Sequence, residues 1–257
     1  MKRFGIILAG GEGSRAGGNI PKQFVDLCGR PMVWWAMKAC KEYDPEMELI
    51  LVLHPGFFDD WDIMSQNLPE EERIPHIICC GGRNRTHSVY NGLLSIRDFM
   101  AELPEEVRKG YEEEGIAVGI HDGARPLITP DMLRRGFEGV ERGVGMVPAI
   151  KCVSSLREVA IPAEVFNGSS SESVDREKYV EVQTPQLFLY SDIMGAYIER
   201  EKDDADFLTS FSGFTDDASL AVCSGVEVKL YEGLTENIKV THPIDFTIAR
   251  AIMEARG

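Results

Sequence analysis

The chain alternates two hydrophobic patterns. Short, nearly continuous apolar runs ("FGIILAG", "ELILVL", "HIICCGG", "GIAVGIHDGA", "GVGMVPAI") are separated by stretches such as "PMVWWAMKACKEY", "THSVYNGLLSIRDFM" and "TPDMLRRGFEGVERG". The runs predict buried strands, whereas the longer stretches return their apolar residues every three or four positions, as one face of a helix does. Such alternation predicts an α/β fold with a mostly parallel sheet and helices on both faces. Acidic "LPEEVRKGYEEEG" predicts a solvated surface helix. From about residue 151 the pattern loosens, and "REVAIPAEVFNGSSSESVDREKYVEVQTPQLF" offers short strand-like pieces around a serine-rich turn. Alternation then resumes with "SDIMGAYIERE", "TDDASLAVCSG", "VEVKLYEG" and a closing helix after Pro243. No linker or internal repeat divides the chain. It reads as one domain over 1–257, with an inserted arm at about 151–182.

Composition narrows the function classes. A net charge of −15 over 257 residues disfavours a general nucleic-acid binder, so an anionic ligand would have to meet a local basic site. No apolar run approaches the roughly 18 residues of a membrane span. The apolar stretch after Met1, Lys2 and Arg3 is too short for a signal-peptide core, so the expected address is the cytoplasm. The six cysteines include no C-x-x-C pair and no histidine at zinc-ligand spacing, and are expected to be reduced.

Five glycines, an arginine and a lysine crowd into "ILAGGEGSRAGGNIPKQF", straight after the first predicted strand. Glycine is entropically costly to order, so something there must require bare backbone. Gly11, Gly13 and Ala16 match the dinucleotide pattern G-x-G-x-x-G/A, but Pro21 interrupts the helix that pattern opens, and no acidic residue closes a second strand about 20 residues on. The Walker pattern fails for want of a Gly-Lys-Ser/Thr ending. What remains is a loop of backbone N–H groups able to cradle an anion, with Arg15 and Lys22 adding positive charge. "GGRNRTHSV" and "HDGARP" also fall at predicted carboxyl ends of strands, where open α/β sheets bind ligands.

Six motifs in order, "LAGGEGSRAGGNIPKQF", "GGRNRTHSV", "HDGARP", "VQTPQLF", "FTDDAS" and "ENIKVT", cover nearly the whole chain. Together they resemble the 2-C-methyl-D-erythritol 4-phosphate cytidylyltransferases and their relatives, the ribitol-5-phosphate cytidylyltransferases. The resemblance implies a Rossmann-like nucleotidyltransferase fold, Mg²⁺ dependence, and a homodimer in which each subunit's arm reaches its mate. It implies that Arg15 and Lys22 face the CTP triphosphate, with Lys239 near the α-phosphate. It also implies that Ala9, Gly10, Gly11, Gly13 and Gly123 belong to the nucleotide site, that Gly81, Gly82 and Ser88 line the cytidine pocket, and that Asp122 helps hold Mg²⁺. On the polyol-phosphate side it points to Arg125, Thr184, Thr215 and Asp216, with Arg176 acting from the arm across the dimer.

The implied reaction suits these residue types. A substrate phosphate attacks the α-phosphorus of CTP and displaces pyrophosphate; being ionised near neutral pH, it needs no general base. The obstacle is charge repulsion, which arginines, lysines and a dication relieve. Two positions depart from the family. Ala16 stands where a methionine is usual, and in "PAIKCVSSLR" Lys151 and Ser155 stand where relatives place an aspartate and a threonine near the polyol. Two alternatives to a methylerythritol phosphate enzyme therefore stay open: a ribitol-5-phosphate enzyme for cell-surface polymers, and a catalytically idle nucleotide-binding relative.

Overall fold

Strand β1 (Lys2–Ala9) runs through the middle of the molecule with parallel neighbours on either side. The computed structural model describes residues 1–11, 21–159, 170–204, 206–209 and 214–256. On one side of β1 lie β4 (Glu48–Leu53) and then β5 (Ile77–Cys80); on the other lies β6 (Ile116–Asp122). Beyond β6 the sheet turns mixed. Strand β11 (Gln186–Leu189) pairs antiparallel with both β6 and β7 (Val144–Lys151), β10 (Val180–Val182) pairs antiparallel with the end of β7, and β12 (Glu227–Glu232) pairs parallel with β7.

Period-two alternation of side chains makes two cores from one sheet. Phe4, Ile6, Ile50, Val52, Val118 and Ile120 pack beneath α3 (Arg85–Glu102) and α6 (Tyr190–Asp203). Ile7, Leu49, Leu51 and Leu53 face the opposite side, against α1 (Met32–Tyr43) and α5 (Pro130–Glu138). Both faces are thus covered, as the apolar runs predict. Helix α3 buries Val89, Leu93, Ile96 and Met100, one stripe at helical spacing, while α4 (Glu105–Glu114) buries no residue, in keeping with its acidic sequence.

Two features were not legible as elements. Strands β2 (Asp26–Leu27) and β3 (Arg30–Pro31) form a small hairpin, and α2 (Phe58–Gln66) buries only Trp61, so its periodic signal is faint. Within the predicted arm, β8 (Arg157–Val159) and β9 (Ser171–Ser173) form a separate two-stranded ribbon, whereas β10 belongs to the main sheet. The last helices are α7 (Asp217–Cys223) and α8 (Pro243–Arg256). No helix among the described residues is long and apolar enough to cross a membrane.

Candidate active site

A cleft of about 930 Å³ opens at the carboxyl ends of β1, β4, β5 and β6, where the strand pattern predicts ligand binding. Ala9, Gly10, Gly11, Lys22, Gly81, Gly82, Ser88, Asp122 and Lys239 all line it. Among the described residues its wall carries four basic side chains, Lys22, Arg83, Arg85 and Lys239, against one carboxylate, Asp122. In a chain of net charge −15 that is a local inversion of sign, and a low-dielectric cleft concentrates its field. A second hollow of about 90 Å³ between α1 and α2 is mostly aromatic and aliphatic, and lacks this convergence of basic groups.

Each strand end is shaped by local chemistry. After β1, the buried side chain of Gln23 donates to the carbonyls of Ala9, at 2.5 Å, and Gly11, at 3.1 Å. Two carbonyls that would repel an anion are thereby occupied. Gln23 stands in a short 3₁₀ turn, Lys22–Phe24, anchored by Phe24 stacked on Trp61, and that turn carries Lys22. The Lys22 ammonium donates to the Val240 carbonyl at 2.9 Å, joining the first motif to the last. After β5, Gly81 donates its N–H to Leu53 O, and Gly82 donates its own to Ser88 Oγ at 3.0 Å. A Cβ at Gly82 would come within 2.7 Å of the His87 backbone carbon, so glycine is required there by space. Asn84 then caps α3 by accepting from His87 N–H at 2.8 Å.

At the end of β6 stands Asp122, whose side chain is only 10% exposed. Lys239 Nζ meets its Oδ2 at 2.8 Å, Arg85 Nε lies 3.6 Å from Oδ1, and Arg125 Nε lies 3.8 Å from Oδ2. Burial alone would raise this carboxyl's pKa, but the three cations, led by Arg85, outweigh it and hold the group well below the usual carboxylate range. Asp122 is therefore an anion at any physiological pH. Gly123 follows it, donating to Leu8 O at 2.9 Å, and a Cβ there would meet that same oxygen at 3.0 Å.

A buried relay fixes Asp122 from behind. Its backbone N–H donates to Thr184 Oγ1 at 3.0 Å, and Thr184 Oγ1 lies 3.0 Å from His121 Nδ1. His121 Nε2 in turn faces the Arg125 carbonyl at 3.0 Å. Every group is satisfied if the imidazole carries its proton on Nε2 and Thr184 donates to Nδ1. Burial pushes the His121 pKa down to about 4, so it stays neutral.

The residues expected on the polyol side are less gathered. Thr184, 5% exposed, spends its hydroxyl inside this relay. Arg125 donates to the Asn237 carbonyl at 2.8 Å. Asp216 caps α7, accepting from Ser219 N–H at 3.0 Å and from Gln186 Nε2 at 2.8 Å, and Thr215 beside it is exposed. Arg176, 48% exposed, donates to Val153 O and faces Glu177; it is not among the residues lining the cleft. Lys151 and Ser155 are exposed, Lys151 pairing with Val180 at the end of β7. Arg15, Gly13 and Ala16 lie outside the described residues. Gln23 and Arg85 stand inside quoted motifs, but neither is legible individually, because a side chain turned toward carbonyls or a neighbouring carboxylate leaves no signature in spacing.

Comparison with known proteins gives one answer along the full length. The family model of IspD, 2-C-methyl-D-erythritol 4-phosphate cytidylyltransferase, matches residues 4–255. The chain is 36% identical to the 2-C-methyl-D-erythritol 4-phosphate cytidylyltransferase of Bacteroides thetaiotaomicron, over 98% of this chain and 100% of that one. It is 37% identical to the protein of the same name from Bacteroides fragilis, with the same coverage. The crystal structure of 2-C-methyl-D-erythritol 4-phosphate cytidylyltransferase from Thermus thermophilus superposes with a TM-score of 0.67 at 25% identity, covering 97% of this chain and 98% of that one.

Proposed function

Since the chain belongs to the 2-C-methyl-D-erythritol 4-phosphate cytidylyltransferase family, we propose how its own residues carry out that family's reaction. The enzyme transfers CMP from CTP to 2-C-methyl-D-erythritol 4-phosphate, with release of pyrophosphate, in isoprenoid precursor synthesis. The observation that carries the mechanism is the basic wall of the cleft, where, among the described residues, four cations face one carboxylate.

CTP and the substrate together bring about six negative charges, and the attacking phosphate is already ionised. The chain's task is to align two anions and stabilise charge as it shifts to pyrophosphate. Lys22 and Arg15 take the triphosphate, and Gln23 engages the Ala9 and Gly11 carbonyls at the end of β1. Lys239, already beside Asp122, moves to the α-phosphate region as the nucleotide enters. The backbone at Ala9, Gly10, Gly11, Gly13 and Gly123 approaches the nucleotide; Gly81, Gly82 and Ser88 receive the cytidine. Arg125, Thr184, Thr215 and Asp216 bound the polyol-phosphate side, Thr184 and Asp216 chiefly by fixing neighbours.

Mg²⁺ fits the donor set. It takes one or two carboxylates and several phosphate oxygens rather than an all-protein cage, and Asp122 offers an ionised, half-enclosed carboxylate beside the space for the phosphates. Bound there, Mg²⁺ supplies neutralisation of triphosphate charge and polarisation of phosphoryl oxygens. Asp122 is the residue that holds it. Exposed Val153, Tyr179, Val180 and Val182 and the isolated β8–β9 ribbon support a homodimer in which the arm packs on a second copy and carries Arg176 into its site.

The test is pyrophosphate release from CTP and Mg²⁺ against a panel of polyol phosphates. Methylerythritol phosphate should give the highest kcat/KM. Preference for ribitol 5-phosphate would overturn the substrate, and no release with any member would overturn catalysis.

A further inference from the structure

Asp217 has no role in the account above, yet its side chain is fully buried, at 0% exposure, within reach of the site. Arg85 Nη2 donates to its Oδ2 at 2.7 Å, and the Tyr197 hydroxyl donates to its Oδ1 at 2.8 Å. The same guanidinium points its Nε toward Asp122, but at 3.6 Å, beyond hydrogen-bond distance. One arginine is therefore shared by two carboxylates and bonded to only one of them. Among the described residues, Lys239 and Arg125 make their nearest approach to Asp122 at Oδ2, whereas Arg85 faces Oδ1.

We propose that Asp217 is a positioning residue for the metal–nucleotide site: by tethering Arg85 it keeps the guanidinium off Asp122 and leaves Oδ1 to the divalent cation that accompanies CTP. The inference rests on the reading of Asp122 as the Mg²⁺ ligand. Without the charge at Asp217, Asp122 becomes Arg85's nearest counter-ion, and a guanidinium readily closes onto a carboxylate with paired hydrogen bonds. Asp122 would then be hydrogen-bonded by Arg85 as well as met by Lys239. Loss of Asp217's charge also makes the cleft more positive by one unit, which disfavours a dication and favours the bare triphosphate. The two ligands are thus affected in opposite directions, which loosening of the α3–α7 contact would not produce.

The test is calorimetric titration of CTP, with no polyol phosphate present, in EDTA and again in Mg²⁺. The readout is the ratio of the two dissociation constants for each protein. In the wild type, Mg²⁺ should tighten CTP at least tenfold. Asp217→Asn should cut that gain by about tenfold while CTP in EDTA binds as well as before or better. Adding Arg85→Met to Asp217→Asn should restore most of the gain, since no guanidinium remains to close on Asp122. The proposal is overturned if Asp217→Asn keeps the full gain, if it weakens CTP equally with and without metal, or if the double variant recovers nothing. A wild type with no Mg²⁺ gain overturns the Asp122 reading itself, and the inference with it. Should Asp217→Asn fail to fold, Tyr197→Phe removes only one bond to the carboxylate and should lower the gain about threefold; an unchanged gain would refute the tether.

Discussion

Arg85 and Arg176 carry the same guanidinium into two different surroundings. Arg85 opens α3, is bonded to a buried carboxylate and lies near a second. Arg176 sits in a 3₁₀ turn of the arm, half exposed, holding a backbone carbonyl and an exposed glutamate. In the cleft, side chains are fixed before any ligand arrives, by partners from distant motifs: Lys22 with Val240, Lys239 with Asp122, Arg125 with Asn237. In the arm the partners are local, and apolar side chains such as Val153, 78% exposed, face outward. The contrast teaches that the cleft gathers its described cations from distant motifs of one chain, whereas the arm holds its arginine by local partners and turns apolar side chains outward.

The sharpest break in that comparison is Lys22→Ala. Loss of a contact made to the shifting phosphate charge should lower kcat by roughly 10²-fold or more. The melting temperature should hardly move, since Gln23 and Phe24 keep the turn in place. Retained kcat would remove Lys22 from the machinery.

The arm is tested by Arg176→Ala, with an expected 10- to 100-fold loss in kcat/KM from removing a charge-assisted phosphate contact. Mixing this variant with Lys22→Ala decides where the arginine acts. If each arm serves its partner, a mixed dimer holds one site with both residues intact, so an equal mixture recovers about a quarter of wild-type activity by random pairing. No recovery would place Arg176 in its own chain's site or outside catalysis.

The same division explains what could be read from the sequence. Strands β1, β4, β5 and β6 and helices α1 and α3 follow from apolar runs and helical spacing, because each packs into one or both of the two cores that flank the sheet. At Gly82 and Gly123 the need for glycine is legible too, since close approach of other atoms leaves a residue-type signature. Mixed pairing beyond β6 does not: "QLFL" is four residues long, and nothing in it tells that Leu187 must sit between β6 and β7 running backwards. The roles of Gln23, Asp217 and the His121–Thr184 relay are equally silent, because they consist of hydrogen bonds between residues far apart in the chain. Thr184 was legible as a motif member, though not as the hydroxyl that holds Asp122.

The smallest expected effect concerns acid, and it too should separate the regions. His121 in the folded protein takes a proton only near pH 4, whereas in an unfolded chain it does so near the ordinary value of about 6.5. Above that ordinary value both states are neutral and the relay's contribution is whole. As pH falls the unfolded chain is protonated first, so stability declines, and the loss continues until the folded imidazole titrates as well. Between pH 7 and pH 5.5 this one group should remove about 1 kcal/mol. His76, whose pKa burial also lowers, adds to the slope in the same direction, so the contribution of His121 must be isolated by substitution. Urea unfolding of the wild type and of His121→Gln at the two pH values does this: the variant should start less stable but lose about 1 kcal/mol less on acidification. Residues 151–182 hold no histidine, so amide exchange corrected for intrinsic rates should quicken around β6 and leave β8 and β9 unchanged. An equal pH slope in the variant would mean that His121 is not the group that softens the cleft, and the buried relay would lose its claim to fix Asp122.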